Sequence, residues 1–269
     1  MIRIQAKKSL GQNFLKNPRV LDSIVSAAEL LKSETVLEVG PGTGFLTERL
    51  SKAAGRVVAI EKDQRLILEL QQKFKNSNVE IFEGDILKIN PEDFKLASGK
   101  YSIVANIPYY LTSHLIRLIL TTWPKPKRAV LMVQEEVARR IIASPPDMNL
   151  LGLSVQIYAD ARIVSRVSRG NFSPMPDVDS AVISIVPKTK EIRDTEPEQI
   201  LHLASATFHG KRKMLANTLS GATGQEKKEI ATLLESLGLN PKIRPEEVSL
   251  ESWWLIVKGL KQHKSRTKI

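Results

Sequence analysis

The segment TVLEVGPGTG, residues 35–44, decides the fold. Its first five residues are typical of a buried strand, three glycines follow at alternate positions, and a helical pattern begins at Phe45. A strand, a glycine-rich turn and a helix in this order are typical of an open α/β sheet. Because glycine has no side chain, a ligand can lie against the backbone of such a turn. The spacing G-x-G-x-G differs from the dinucleotide-binding G-x-G-x-x-G, so the turn alone is a weak signal.

The same alternation continues along the chain to about residue 187. Four further strands are predicted, residues 56–60, 79–82, 101–104 and 129–133, and a helical pattern follows all of them except 79–82. Such repeats, each of roughly 20 to 30 residues, indicate a parallel sheet with helices on both faces. The closing strands, residues 155–167 and 181–186, have no helix between them, so we expect the sheet to end in an antiparallel pair.

The last part of the chain has only helical periodicity. Gly and Pro separate four segments that we predict as helices, residues 198–208, 211–219, 227–237 and 250–260. We therefore expect an α/β, Rossmann-like domain in residues 1–190 and a small all-α domain in residues 191–269.

Composition limits the possible functions. The 269 residues carry a net charge of +11 and contain no cysteine. The basic excess suggests a polyanionic partner, most often a nucleic acid. Without cysteine there is no thiolate zinc site, no disulfide and no cysteine nucleophile, and a cytoplasmic setting is expected. We find no apolar run of the ~20 residues that a membrane span requires and no signal peptide.

Polar residues end the second, third and fourth predicted strands: Glu61, Asp85 and Asn106. The carboxyl ends of parallel strands meet at one edge of a sheet, where such folds bind ligands. A carboxylate at Glu61 can accept both hydroxyls of a ribose, and Asp85 can accept an adenine amino group. With no phosphate-binding fingerprint, this favours a nucleoside ligand. S-adenosylmethionine fits, since it has an adenine, a ribose and a charged tail without phosphate.

The segment ANIPYY, residues 105–110, follows the fourth strand. The side-chain oxygen of Asn106 and a backbone carbonyl such as that of Pro108 can both accept hydrogen bonds from one amino group. The ring of Tyr109 offers a flat face to a planar base. Read alone, the segment is equally compatible with a strand that ends at an ordinary turn.

Together these motifs resemble the ribosomal RNA adenine N6,N6-dimethyltransferases in order and spacing, and most closely those of the small subunit. The resemblance covers residues 7 to about 261. It is carried by LGQNFL (10–15), EVGPGTG (38–44), EKD (61–63), GD (84–85), NIPY (106–109), FSPMPDVDS (172–180) and FHGKRK (208–213). The glycine turn is the least specific of these motifs, and LGQNFL and the Phe/Pro loop are the most specific.

The resemblance implies a class I methyltransferase sheet that binds S-adenosylmethionine. It assigns cofactor contacts to Asn13, Leu15, Gly40, Glu61, Asp85 and Asn106. It implies that the target adenine is flipped out of the RNA and stacked between Tyr109 and Phe172. Asn106 and the Pro108 carbonyl would accept from N6, and no metal is required.

The family adds two methyl groups to each of two adjacent adenines near the 3′ end of the small-subunit (16S) RNA. For this chain the resemblance therefore implies a role in 30S biogenesis. The basic residues Lys211, Arg212 and Lys213 match the family's basic signature and are the predicted RNA contacts of the helical domain. We expect a cytoplasmic monomer.

Three other functions stay open at the level of sequence. The sister group of erythromycin-resistance methyltransferases shares the sheet motifs and modifies large-subunit RNA. A non-catalytic RNA-binding protein with the same fold is a second alternative, although the intact NIPY motif argues against it. A methyltransferase that acts on DNA adenine or on a protein glutamine is a third, and the QNFL residues argue against it.

Overall fold

The structure, a computed structural model, describes residues 6–7, 10–188, 196–210 and 213–266. Their strands are β1 (Phe14–Leu15), β2 (Thr35–Val39), β3 (Arg56–Glu61), β4 (Val79–Glu83), β5 (Tyr101–Asn106), β6 (Arg128–Gln134), β7 (Ala159–Val167), β8 (Phe172–Ser173) and β9 (Ser180–Pro187). Their helices are α1 (Pro18–Ala28), α2 (Phe45–Ala53), α3 (Gln64–Lys73), α4 (Thr112–Thr121), α5 (Glu135–Ile141), α6 (Leu150–Gln156), α7 (Glu196–Phe208), α8 (Leu215–Thr223), α9 (Lys227–Ser236) and α10 (Leu250–Arg266). None of these helices is both long and apolar enough to cross a bilayer.

A seven-stranded sheet is the centre of the first of two compact units. This unit comprises the described residues up to Arg139 together with Ala159–Pro187. The strand order is β4-β3-β2-β5-β6-β9-β7. The first five strands are parallel, whereas β9 runs antiparallel to both β6 and β7. The predicted α/β class and the antiparallel end of the sheet are therefore confirmed.

The chain reverses its direction of travel across the sheet at β2. From β2 it adds β3 and β4 on one side, and it then returns to add β5 and β6 on the other. Val39, the last residue of β2, is paired with Ile60 on β3 and with Ala105 on β5. A crevice forms beyond the carboxyl ends of two neighbouring strands where the connections diverge in this way.

The central strands are buried on both faces. Leu37, Val58, Ile103 and Val130 have no exposed surface. Strands of this kind read as nearly continuous apolar runs, because helices cover both sides of a parallel sheet. Buried residues of α1, α2 and α3 join the strands in one apolar cluster: Leu21, Ile24, Leu50, Leu66 and Leu70.

A two-stranded ribbon joins the amino-terminal segment to the Phe/Pro loop. Strand β1 is antiparallel to β8, with Leu15 opposite Phe172. Next to the ribbon, the Asn17 side-chain amide donates to the Asn171 side-chain oxygen at 2.7 Å. Each strand has only two residues, so no local periodicity could have predicted the pairing.

The second unit is helical and includes more of the chain than expected. It comprises Arg140–Tyr158 and the described residues from Lys188 onward. The predicted boundary had placed all of residues 1–190 in the first domain. Within the helical unit, the Met148 N–H donates to the Glu246 carbonyl at 3.0 Å. Met148, Leu153 and Ile157 belong to its apolar core with Trp253.

Part of one predicted strand is helical. Residues 155–167 were expected to be extended because they are rich in β-branched residues, but α6 continues to Gln156 and β7 begins at Ala159. Val155 and Ile157 are almost completely buried. Ile157 belongs to the apolar core of the helical unit, and burial of this kind outweighs a β propensity that depends largely on context. The helix predicted at residues 211–219 begins at Leu215, and its first two positions lie outside the described residues.

Glycine at position 152 lets helix α6 pack closely against the backbone at Arg140. A Cβ atom at Gly152 would lie 2.6 Å from the backbone carbonyl oxygen of Arg140. We expect Gly152→Ala to lower the free energy of unfolding by about 1–3 kcal/mol, since backbone must move to relieve the overlap. In α8 a Cβ atom at Gly221 would meet nothing within 4 Å. The matched variant Gly221→Ala should therefore leave stability unchanged or raise it by about 0.5–1 kcal/mol. Urea unfolding measures the free energy of unfolding of both variants. Equal effects of the two substitutions would contradict the close contact of Gly152 with the Arg140 carbonyl.

Candidate active site

A pocket opens at the carboxyl ends of β2, β3 and β5, where the strand connections diverge. Its lining comes from the amino-terminal segment, the glycine turn and the strand ends. It contains every residue predicted to contact cofactor or target base except Phe172, namely Asn13, Leu15, Gly40, Glu61, Asp85, Asn106, Pro108 and Tyr109. Segments separated by up to about 100 residues in the chain thus meet at one site.

The glycine turn uses its own N–H groups internally. Gly40 N–H donates to the Ile60 carbonyl at 2.9 Å, and Gly44 N–H donates to the Pro41 carbonyl at 2.9 Å. Gly42 N–H donates to the Glu61 carboxylate at 3.0 Å. The turn therefore keeps none of its three glycine N–H groups free for a ligand. Gly40 has a φ of 67°, a conformation that residues with a side chain rarely adopt.

Glu61 is a buried carboxylate held in a fixed orientation. One of its oxygens accepts from Gly42, and the other accepts from the N–H groups of Lys62 and Asp63 at 2.9 and 2.8 Å. Burial raises the pKa of Glu61, whereas these three hydrogen bonds act in the opposite direction. The oxygen that accepts from Gly42 keeps a second lone pair, with which it can still accept from a ligand.

Asp85 stands opposite a lysine at the mouth of the pocket. One of its oxygens accepts from the Leu87 N–H at 3.1 Å, and the other pairs with Lys62 Nζ at 2.9 Å. The hydrogen bond from Lys62 is the main cause that lowers the pKa of Asp85. The carboxylate is therefore ionised at neutral pH, and both of its oxygens act as acceptors.

The amide of Asn106 is oriented by the amino-terminal segment. Asn106 Nδ2 donates to the backbone carbonyl of Asn13 at 3.1 Å. Only the nitrogen of an amide can donate to a carbonyl, so this contact distinguishes Nδ2 of the Asn106 side chain from its oxygen. The Asn106 oxygen is thereby left as an acceptor on the pocket lining.

Pro108 and Tyr109 follow Asn106 in a short turn. The Pro108 carbonyl accepts the Leu111 N–H at 2.9 Å and keeps one lone pair. The Tyr109 hydroxyl hydrogen-bonds to the buried Ser180 Oγ at 2.8 Å. Burial raises the pKa of Tyr109, so the phenol is neutral at physiological pH. The ring is half-buried and anchored at its far end.

The predicted second wall of the base slot is not at the pocket. Phe172 is 6% exposed and belongs to the apolar core of the first unit. The two-stranded ribbon explains this burial. Leu15 is itself buried, and its pairing with Phe172 places the phenylalanine ring in the same apolar core. In this structure only Tyr109 of the two predicted stacking residues lines the pocket.

The sequence reading missed several residues of the site. Gln12 Nε2 donates to the buried Asp63 at 2.8 Å, which ties the amino-terminal segment to the end of β3. Hydrogen bonds from Arg65 and Gln12 oppose the effect of burial and hold the pKa of Asp63 well below its usual range. Tyr110 lines the pocket with 58% of its surface exposed. Glu38 also lines it, and a charged residue inside an apolar strand was the signal that could have identified it.

The predicted RNA-binding cluster is only partly visible. Lys211 and Arg212 lie outside the described residues. Lys213 is exposed at the surface of the helical unit, and its N–H donates to the Gly210 carbonyl at 2.7 Å. The role of the cluster stays a prediction.

The sheet order, the antiparallel end and the pocket beyond β2 and β5 define a Rossmann-like class I methyltransferase fold. The family model for ribosomal RNA adenine dimethylases matches residues 3–262. A ribosomal RNA small subunit methyltransferase A from Dehalococcoides mccartyi is 44% identical over 93% of this chain and 87% of its own. One from Rippkaea orientalis is 38% identical over 93% and 95%.

Two solved structures resemble the whole fold. A dimethyladenosine transferase from Plasmodium falciparum has a TM-score of 0.80 and 29% identity, and the match covers 93% of this chain and 98% of that one. The 23S rRNA methyltransferase ErmE has a TM-score of 0.78 and 26% identity, with 93% and 100% covered. The chain belongs to the ribosomal RNA adenine dimethylase family. It is an enzyme that methylates adenine in ribosomal RNA.

The position of Phe172 can be tested by stability. Phe172→Ala should lower the free energy of unfolding by about 3–5 kcal/mol, because it removes a buried ring from the core. The matched variant Tyr110→Ala, at an exposed ring, should change it by less than about 0.5 kcal/mol. Chemical denaturation measures both. Wild-type stability of Phe172→Ala would contradict the buried position of the ring.

Proposed function

We propose that this enzyme transfers methyl groups from S-adenosylmethionine to N6 of two adjacent adenosines near the 3′ end of 16S rRNA, during 30S biogenesis. The choice of the small subunit is supported by the relatives named small subunit methyltransferase A, at 36–44% identity. The large-subunit enzyme ErmE shares less, at 26%.

The hydrogen bonds within the glycine turn support S-adenosylmethionine as the methyl donor. Sites that bind phosphate at such a turn depend on free backbone N–H groups. Here the N–H groups of Gly40, Gly42 and Gly44 already have acceptors, and one of those acceptors is the carboxylate of Glu61. A buried carboxylate in this position repels phosphate, and its remaining lone pair can accept from a ribose hydroxyl. The residues therefore fit a nucleoside without phosphate, as S-adenosylmethionine is.

Other lining residues fit the rest of that donor. Asp85 presents acceptor oxygens suited to the amino group of adenine. Asn13 and Leu15 lie on the amino-terminal segment at the pocket wall, beside Asn106. When bound, S-adenosylmethionine supplies a methyl group on a positively charged sulfur, which a nucleophile can displace directly.

The acceptors at the end of β5 serve the target amine. N6 of adenine is a poor nucleophile because its lone pair is delocalised into the ring. The Asn106 oxygen and the remaining lone pair of the Pro108 carbonyl can accept its two hydrogens and draw the nitrogen toward tetrahedral geometry. This arrangement requires no strong base, and the neighbouring His114 is exposed and absent from the pocket lining.

The target base must leave its stack to reach this site. Tyr109 would form one wall of the slot, because its ring lines the pocket and its hydroxyl is anchored by Ser180. Stacking of Phe172 on the other face would require its ring to leave the core. We propose that the Phe/Pro loop rearranges when RNA binds, since β8 has only two paired residues to release.

The charge of the chain supports a large RNA partner. A net charge of +11 favours binding to phosphate backbones. We propose that Lys211, Arg212 and Lys213 add RNA contacts from the helical unit. We also propose that the enzyme acts as a monomer in the cytoplasm.

The proposed substrate is tested with ribosomal particles. Labelled S-adenosylmethionine is incubated with the enzyme and either unmethylated 30S or 50S particles. We expect label on N6 of adenine in the 30S RNA only. Small subunits that already carry these methyl groups are the control and should accept none. Label in the large subunit alone would contradict the proposal and favour the erythromycin-resistance type of activity.

A further inference from the structure

Glu38 is a buried carboxyl group to which the proposed chemistry gives no role. It is the fourth residue of β2, lines the pocket and is 1% exposed. Neither of its oxygens has a hydrogen-bond partner among the described residues. An ionised carboxylate in such a place is strongly disfavoured, so the group needs either a proton or a partner.

None of the described residues forms a hydrogen bond or an ion pair with the Glu38 carboxyl group. Its neighbours across the sheet, Ala59 and Val104, are apolar. Thr47 on α2 lowers the pKa of Glu38, but its buried hydroxyl oxygen also has no hydrogen-bond partner. Glu38, on the pocket lining, and Thr47 are therefore both left without a hydrogen-bond partner among the described residues.

Two charges act on Glu38 from a distance. Glu61 raises its pKa by repulsion, and Lys73 on α3 lowers it. The ammonium of Lys73 lies 3.4 Å from the carbonyl of Gly44, on the glycine turn. Of the other charges on the pocket lining, Lys62 and Asp85 pair with each other. Burial is the largest effect and raises the pKa of Glu38 to about 8. Burial therefore favours the neutral acid form of Glu38 at pH 7.

We propose that Glu38 is a proton-linked specificity residue, which keeps its proton before the positively charged methyl donor binds and releases it to solvent when the donor binds. This inference rests on the proposed use of S-adenosylmethionine. The donor carries one more positive charge than S-adenosylhomocysteine, its thioether product. In a poorly solvated pocket, an added positive charge favours the carboxylate over the acid. Glu38 forms no covalent bond, and it takes up a proton again once the sulfur has become neutral.

The consequence is discrimination between donor and product. A proton that leaves on binding makes binding tighter as pH rises toward the pKa of the free group. The ionised Glu38 then attracts the donor more than the product. Product inhibition should therefore weaken as pH rises toward the pKa of Glu38 and stay weak above it.

The test measures affinity rather than activity. Calorimetry gives the Kd of S-adenosylmethionine and of S-adenosylhomocysteine from about pH 6 to 9, for wild type and for Glu38→Gln. In the wild type, the ratio of product Kd to donor Kd should rise by up to about tenfold per pH unit below pH 8 and then level off. The ligands' own amino groups titrate near this range, but they do so equally with both proteins. The difference between wild type and variant therefore isolates Glu38, and Glu38→Gln should lose the rise.

Two further measurements keep the result interpretable. Glu69→Gln, at an exposed position on α3, is the matched control and should behave as wild type. If Glu38→Gln does not fold, proton release by the wild type is measured in buffers of different ionisation enthalpy. We expect clearly more release with the donor than with the product at pH 7.

Equal proton release with both ligands, or a rise that persists in Glu38→Gln, would overturn the role of Glu38. Failure of the wild type to bind the donor at any pH would instead overturn the proposed donor. The two failures are therefore distinguishable.

Discussion

The parallel pairing of β2 with both β3 and β5 is the constraint on which the site depends. Val39 lies level with Ile60 and with Ala105. Gly40, Glu61 and Asn106 therefore leave the sheet side by side, although they are far apart in the chain. A slip of one residue in either pairing would turn each side chain of that strand to the opposite face. The fully buried apolar residues of these strands make such a slip costly, so the core that stabilises the sheet also positions the site.

The amino-terminal segment orients the side chain of Asn106 at the end of β5. It contributes one carbonyl, that of Asn13, to which the Asn106 amide donates. Rotation of the amide by half a turn would lose this bond and bring two oxygens together, at a cost of about 1–3 kcal/mol. That amount favours the observed orientation roughly five- to 150-fold. Two contacts fix this segment: the hydrogen bond from Gln12 to Asp63, and the pairing of β1 with β8. The site is therefore assembled from both ends of the first unit.

Much of this arrangement could be predicted from local sequence. Strand and helix periodicity predicted the sheet, its antiparallel end and the position of Glu61, Asp85 and Asn106 at its edge, because these depend on short-range patterns. The hydrogen bonds that saturate the glycine turn could not be predicted, since they depend on the carbonyl of Ile60 and the carboxylate of Glu61. The burial of Phe172 was missed because a two-residue ribbon has no local signal. Burial among helices, rather than propensity, decided the structure of Val155 and Ile157.

We propose that the oriented oxygen of Asn106 activates the amine of the target base. The most direct measurement is kcat of Asn106→Ala at saturating donor, on unmethylated small-subunit RNA or particles, together with the Kd for that RNA. Loss of one such oriented group should lower kcat by about 10²–10³. The Kd for RNA should stay within a factor of about two, because phosphate contacts provide most of that affinity. A variant with wild-type kcat would contradict the claim.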